Sequence, residues 1–198
     1  MPTPPSFDPA HTAVLSMDLQ SGVVSIYARD AGDMLARAAG VLERARRAGM
    51  RVVHVQVGFR PGLPEVSSRN SLFASVKSSI QHQKLFDGPA AAIHPAVAPL
   101  EGDIVVTKHR ISAFTGTDLD MILRANDIDT LVMFGIATSG VVLSTLLQAV
   151  DADYRTAVIT DCCADLNDDL HACLAEKFFP ARGSVLTADQ FLSSTTLR

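Results

Sequence analysis

The sequence predicts a three-layer α/β fold, a parallel six-stranded sheet with helices on both faces. Three observations carry that expectation. The chain has 198 residues, enough for one domain that buries roughly 70% of its unfolded surface. Its residues are 47% hydrophobic and 19% charged, a globular balance that excludes disorder along the whole length. From residue 104 onward, short apolar runs alternate with helical patterns, which implies right-handed βαβ units and a parallel sheet.

The elements follow in order. Four prolines within the first nine residues make a Pro-rich N-terminal arm over 1–11, because proline fits neither a helix interior nor an inner strand. Thr12–Asp18 (TAVLSMD) reads as a buried strand, uncharged until its last residue. Asp33–Ala48 places Met34, Leu35, Ala38, Val41, Leu42 and Ala45 on one helical stripe, with Asp33 as its expected cap and Gly49 as its stop. Met50–Val57 is the second strand, and 58–71 (GFRPGLPEVSSRNS) is a loop rich in Gly, Pro and Ser. A short helix over 72–82 precedes a Pro-broken loop at 88–102. Strands at 104–108, 130–135, 155–160 and 184–187 then alternate with helices at 118–125, 139–151 and 168–178. With no internal repeat or linker, residues 1–198 read as a single domain, its strands in the Rossmann-like order 3-2-1-4-5-6.

Composition narrows function. Seventeen Lys and Arg against 21 Asp and Glu leave a net charge of −4, which argues against nucleic acid as a partner. No apolar run approaches the ~18 residues of a membrane span, so no membrane partner is expected. The N-terminus lacks the basic start and apolar stretch of a signal peptide. Three cysteines crowded late in the chain, Cys162, Cys163 and Cys173, fit a reducing compartment and no zinc template. A soluble, cytoplasmic protein is the expectation, and no cofactor is expected.

In an open parallel sheet, ligands bind beyond the carboxyl ends of the strands. Three features there are not explained by packing alone. Asp18 closes strand 1, as either a desolvated general acid or a cap for the turn at Ser21 and Gly22. Lys108 closes strand 3, as either that acid's ammonium partner or a snorkelling lysine. The turn Gly135-Ile136-Ala137-Thr138-Ser139-Gly140 closes strand 4, and its amides suit a carboxylate or an oxyanion, or else only close helix–strand packing. Cys162, Cys163 and Asp165 follow strand 5.

The string KHRISAFTGTDLDMILRANDIDTLVMFGIATSGVVLSTLLQAVDADYRTAVITDCCAD, together with AVLSMDLQSGV around Asp18, resembles the isochorismatase-like hydrolases, a superfamily that includes nicotinamidases and N-carbamoylsarcosine amidase. The resemblance runs over nearly the whole chain. It implies a catalytic triad of Asp, Lys and Cys after strands 1, 3 and 4. Asp18 and Lys108 match the first two, whereas the nucleophile position in GIATSGVVLST is Val141. Valine has no nucleophilic atom, so the thiolate route of the amidases is closed. Ser139 and Ser144 lie nearby but have no visible His base, and Cys162 and Cys163 read as small apolar residues at a strand end. The metal residues of nicotinamidase-like members are also missing. His54 stands alone inside a strand pattern, so no metal is expected.

The resemblance implies a further route, because true isochorismatases also lack the cysteine. They hydrolyse a vinyl ether, which requires a proton on the enol carbon and water on the resulting oxocarbenium ion. Asp18 is then the proton donor and Lys108 its tuner. Gln20, Phe114, Ile136, Ala137, Ser139 and Gly140 are the candidate substrate contacts, with Phe59, Arg60 and Arg110 as weaker ones. A cis peptide bond at Ile136–Ala137 is implied as well, and so is self-association as a dimer or tetramer. The alternatives are an inactive small-molecule-binding relative and a hydratase or amidase that uses water directly.

Overall fold

A computed structural model describes residues 6–28 and 31–195. Six strands form one parallel sheet: β1 (Thr12–Met17), β2 (Arg51–Val57), β3 (Ile104–Lys108), β4 (Thr130–Gly135), β5 (Arg155–Ile159) and β6 (Ser184–Leu186), in the expected order β3-β2-β1-β4-β5-β6. The two central strands are buried on both faces, which is why they read as continuous apolar runs rather than alternating ones. Leu131, Val132, Met133 and Phe134 are all fully buried on β4, each worth roughly 1.5–3 kcal/mol of hydrophobic stabilisation.

The helices are α1 (Ser21–Tyr27), α2 (Gly32–Ala48), α3 (Ser71–Ser78), α4 (Ile80–Lys84), α5 (Gly88–Ala91), α6 (Leu119–Ala125), α7 (Leu143–Asp151), α8 (Asp168–Cys173) and α9 (Ala188–Ser194). Helix α2 buries the predicted stripe, and Gly49 ends it in the left-handed region (φ 83°). Asp33 is not its cap. The cap position is Ala31, and Asp33 lies in the first turn, where its charge favours the helix dipole.

The expected helix 72–82 is two helices, α3 and α4, parted at Ser79, whose extended backbone lets its hydroxyl cap His82 N–H. The expected helices 139–151 and 168–178 each contain a wide turn, at Thr138–Val142 and Leu174–Phe178. The expected loop 88–102 holds α5 and a short turn at Pro95–Val97. Helices α1 and α9 were not predicted. Part of the N-terminal arm, residues 1–5, lies outside the described residues, while Phe7 packs on Phe191 of α9 at 5.5 Å between ring centroids.

Candidate active site

The site is built where β1, β3 and β4 end. Strand alternation places Lys108 on the same face as Val106, Val55 and Met17, and Ser16 on the opposite face beside His54. Continued extension would carry Asp18 to the Ser16 face. Asp18 instead leaves the strand with a left-handed backbone (φ 54°), its N–H held by Val55 O at 2.8 Å. Its carboxylate reaches Lys108, Oδ2 to Nζ at 2.7 Å, across the intervening strand β2.

Both side chains are nearly closed to solvent, 10% exposed for Asp18 and 4% for Lys108. Lys108 donates a second hydrogen bond to Arg110 O at 3.1 Å. The other carboxyl oxygen, Asp18 Oδ1, is buried with no hydrogen-bond partner among the described residues. Asp18 does not cap the following turn, since Ser21 N–H goes to Ala92 O instead. Burial pushes the Asp18 carboxyl above its ordinary range, against the pull of the Lys108 ammonium.

The turn after β4 is held on every side. Gly135 has φ 147°, and a Cβ there would overlap the Met17 carbonyl, so only glycine lets β4 run this close to β1. The Ile136–Ala137 bond is cis, as the resemblance implies. Ile136 N–H donates to Met17 O at 3.1 Å, and Thr138 N–H to Ala164 O at 2.9 Å. The Thr138 hydroxyl meets His171 Nδ1 at 2.8 Å. Val141 is buried at the start of the wide turn's run into α7.

Four of the candidate substrate contacts have other partners in the structure. The Ser139 amide does not wait for a ligand, because Asp165 Oδ2 already accepts it at 2.7 Å, and Gly140 N–H turns back to Ala137 O at 3.1 Å. Gln20 is fully buried and fully used. It accepts from Val57 N–H at 2.8 Å and donates to Val57 O at 3.0 Å and Ala91 O at 2.7 Å, stapling β2 to α5. Phe114 stacks on Tyr154, 6.0 Å between ring centroids, beside the opposite end of the sheet where β5 begins.

Other residues take structural places. Phe59 packs edge-on against Phe73 and Phe86 at 5.9 and 5.5 Å. Arg60 is exposed, whereas Arg110 spends its guanidinium on the carbonyls of His109 and Glu65. His54 binds Asp103 through Nε2 at 3.2 Å. Among the described residues, no group of three His, Cys, Asp or Glu side chains converges on a metal-binding geometry. Cys162 and Cys163 are buried, and desolvation raises both thiols, Cys163 to about 12. Sequence reasoning gave no role to Glu65 or His171, since neither occurs in a spacing pattern that points to the site.

Two cavities flank this region. One of about 630 Å³ lies between Tyr27, Arg37, Asp161, Asp165 and His171, and one of about 590 Å³ runs along the outer strand β3 beside Arg60 and His109. Asp18 and Lys108 line neither. Among the described residues, no helix is long and apolar enough to cross a membrane.

Known proteins place this architecture. The Isochorismatase domain profile matches residues 12–190. The chain is 32% identical over 183 residues to the isochorismatase family protein YwoC of Bacillus subtilis strain 168, covering 91% of this chain and 92% of that one. It is 31% identical over 163 residues to the maleamate amidohydrolase of Pseudomonas putida KT2440, covering 80% and 75%. An isochorismatase family protein structure from Burkholderia thailandensis superposes with a TM-score of 0.82 at 28% identity, covering 98% and 99%. Matched from its first strand into its last helix, this chain belongs to the isochorismatase family and is a hydrolase.

Proposed function

We propose that the enzyme hydrolyses a small acid-labile substrate without a covalent thiol intermediate, with a vinyl ether as the favoured class and Asp18 as the proton donor. The observation that carries this reading is the division of labour within one carboxyl group. One oxygen rests on the Lys108 ammonium and the other is buried without a partner among the described residues. Burial keeps the proton on Asp18 to higher pH than usual.

The chemistry follows from those groups. Asp18 delivers its proton to the terminal carbon of the enol ether, leaving an oxocarbenium ion. Water adds to that ion and returns a proton to the Asp18 carboxylate, and the resulting hemiketal collapses to an alcohol and a ketone. Asp18 passes from neutral to anionic in the slow step, so the adjacent Lys108 ammonium stabilises the transition state more than the ground state. No atom at Val141, read as the position of the family's nucleophile, has to take part. Because Asp18 and Lys108 are both buried, substrate entry requires local opening around them. Self-association as a dimer or tetramer in the cytoplasm belongs to the same reading, and sedimentation equilibrium tests the assembly.

The similarity to a maleamate amidohydrolase favours a second reading, direct attack of water on an amide. One assay separates the two. Purified enzyme is given isochorismate in one arm and small amides, maleamate among them, in the other. Pyruvate release that disappears in Asp18→Asn supports the proton-donor reading. Release that survives the substitution removes Asp18 from that role, and turnover of amides alone transfers the site to water attack. Tight binding with no turnover would mark an inactive relative.

A further inference from the structure

We propose that Arg110 is a positioning residue for the Asp18–Lys108 pair, an inference that rests on the proton-donor reading above. The Lys108 ammonium has two acceptors in the structure, Asp18 Oδ2 at 2.7 Å and the Arg110 carbonyl at 3.1 Å. Any residue at 110 would offer a carbonyl. What fixes this one is the arginine's own side chain. Its guanidinium donates to His109 O at 2.6 Å and to Glu65 O at 2.9 Å, and it lies 5.8 Å from the centre of the Phe73 ring.

The far side of the clamp is itself braced. Glu65 Oε1 accepts Arg60 N–H at 2.8 Å, closing the segment whose carbonyl receives Arg110. His109 Nδ1 donates to Gly58 O at 2.6 Å, tying the residue between Lys108 and Arg110 to the end of β2. Arg110 therefore joins the irregular segment that begins at residue 58 to the ammonium beside the acid. A planar fork suits this task, since it satisfies two carbonyls at once with little freedom left to the chain. Movement of that segment on substrate entry would reach Lys108 through Arg110, and through Lys108 the acidity of Asp18.

The experiment follows Asp18 directly and needs no substrate. Protein carrying 13C-labelled aspartate is titrated by carboxyl NMR, with the Asp18 signal assigned by its loss in Asp18→Asn. The ammonium pulls the Asp18 pKa down, so loosening it raises the midpoint. Lys108→Met sets the full effect, a rise of about one pH unit or more. Arg110→Gln is expected to reproduce at least half of that rise. Arg110→Lys, which reaches one carbonyl instead of two, falls between and serves if Arg110→Gln does not fold. A midpoint unchanged in both Arg110 variants while Lys108→Met moves it overturns the positioning role and leaves the proton donor standing. A midpoint unmoved by Lys108→Met overturns the pair itself, and with it the reading beneath this one.

Discussion

Two buried carboxylates stand at opposite ends of the same sheet, each against a cation, and they are in opposite states. Asp103 precedes β3 and is saturated. Arg46 Nε reaches Oδ1 at 3.2 Å and Nη2 reaches Oδ2 at 2.6 Å, while Leu100 N–H and His54 Nε2 approach Oδ2 at 2.9 and 3.2 Å. Burial works against its charge, but the Arg46 fork, the Leu100 amide and His54 outweigh it and hold the carboxyl below its ordinary value. Asp18 follows β1 with one oxygen bonded and the other without a partner among the described residues, and burial outweighs its single lysine. Both side chains are nearly closed to solvent, 5% exposed against 10%, but Asp18 lies deeper among protein atoms, so depth and hydrogen-bond count act in the same direction. Full partnering suits Asp103 to stabilising the fold, and the open oxygen of Asp18 suits the proton transfer proposed for it.

Removing each charge in turn should split activity from stability. Asp18→Asn is expected to lower kcat/KM by about 10²–10⁴-fold, the usual worth of a general acid, with the fold retained by circular dichroism. Asp103→Asn should leave the folded enzyme's turnover nearly unchanged and cost about 3 kcal/mol, the low end for a broken buried pair because Arg46 is 24% exposed. In a chain of this length that is roughly 6–12 °C of Tm by calorimetry. If Asp103→Asn abolished turnover in folded protein, or Asp18→Asn melted the fold with Asp103→Asn benign, the assignment of the two roles would be reversed.

The same contrast predicts opposite pH slopes. The folded pKa of Asp103 lies below the ordinary 3.8, so its stabilisation is complete above that value and fades as pH falls through it. The penalty of Asp103→Asn should therefore shrink in acid. Asp18 has a folded pKa above 3.8, so between 3.8 and that pKa the native chain keeps a proton that the unfolded chain has released. Stability from this group falls as pH rises across that window, by at most about 1.4 kcal/mol per pH unit. His54, buried and lowered from 6.5, drives stability the other way, which is why the comparison is made as a difference from wild type. Urea unfolding from pH 3.5 to 7 should show Asp18→Asn gaining on wild type as pH rises. Parallel curves would mean that Asp18 titrates alike in folded and unfolded chains.

Much of this was legible in the sequence, and what escaped shares a cause. Strand periodicity and the polar residues that end apolar runs are local signals, so Asp18, Lys108 and the Gly135–Gly140 turn could be picked out one by one. Their meeting could not, because it depends on β2 lying between β1 and β3 and on a left-handed backbone at Asp18 that breaks strand alternation. Helix α1 (SGVVSIY) escaped because Val23, Val24 and Ile26 are β-branched and favour a strand locally. Its Gly22 is set by tertiary contact, since a Cβ would lie 2.5 Å from Leu85 O. Gln20 looked like a substrate ligand because sequence does not reveal that two distant carbonyls and an amide already claim it. Helix α9 is a different case. Thr187 and Gln190 form a capping box at the expected three-residue spacing, a helix-start signal that the sequence does carry.

The smallest expected effect tests the proposal that no sulfur takes part in the chemistry. A thiol route would need a thiolate near the acid–ammonium pair, and two cysteines, Cys162 and Cys163, follow β5. Both are buried, and the Cys163 thiol donates to Ile159 O at 3.3 Å. Burial pushes the Cys163 thiol up to about 12, which disfavours the thiolate at neutral pH. Cys162 is pushed up too, by burial first and by Asp161 beside it. Replacing both with alanine should cost about 1 kcal/mol of packing each and leave turnover within about two-fold. Iodoacetamide at neutral pH should reach the exposed Cys173 without slowing the reaction. A double variant that folds but no longer turns over would return a sulfur nucleophile to the site. Asp18 would then be that nucleophile's base rather than a donor in its own right, and the contrast with Asp103 would concern the strength of a base instead of the delivery of a proton.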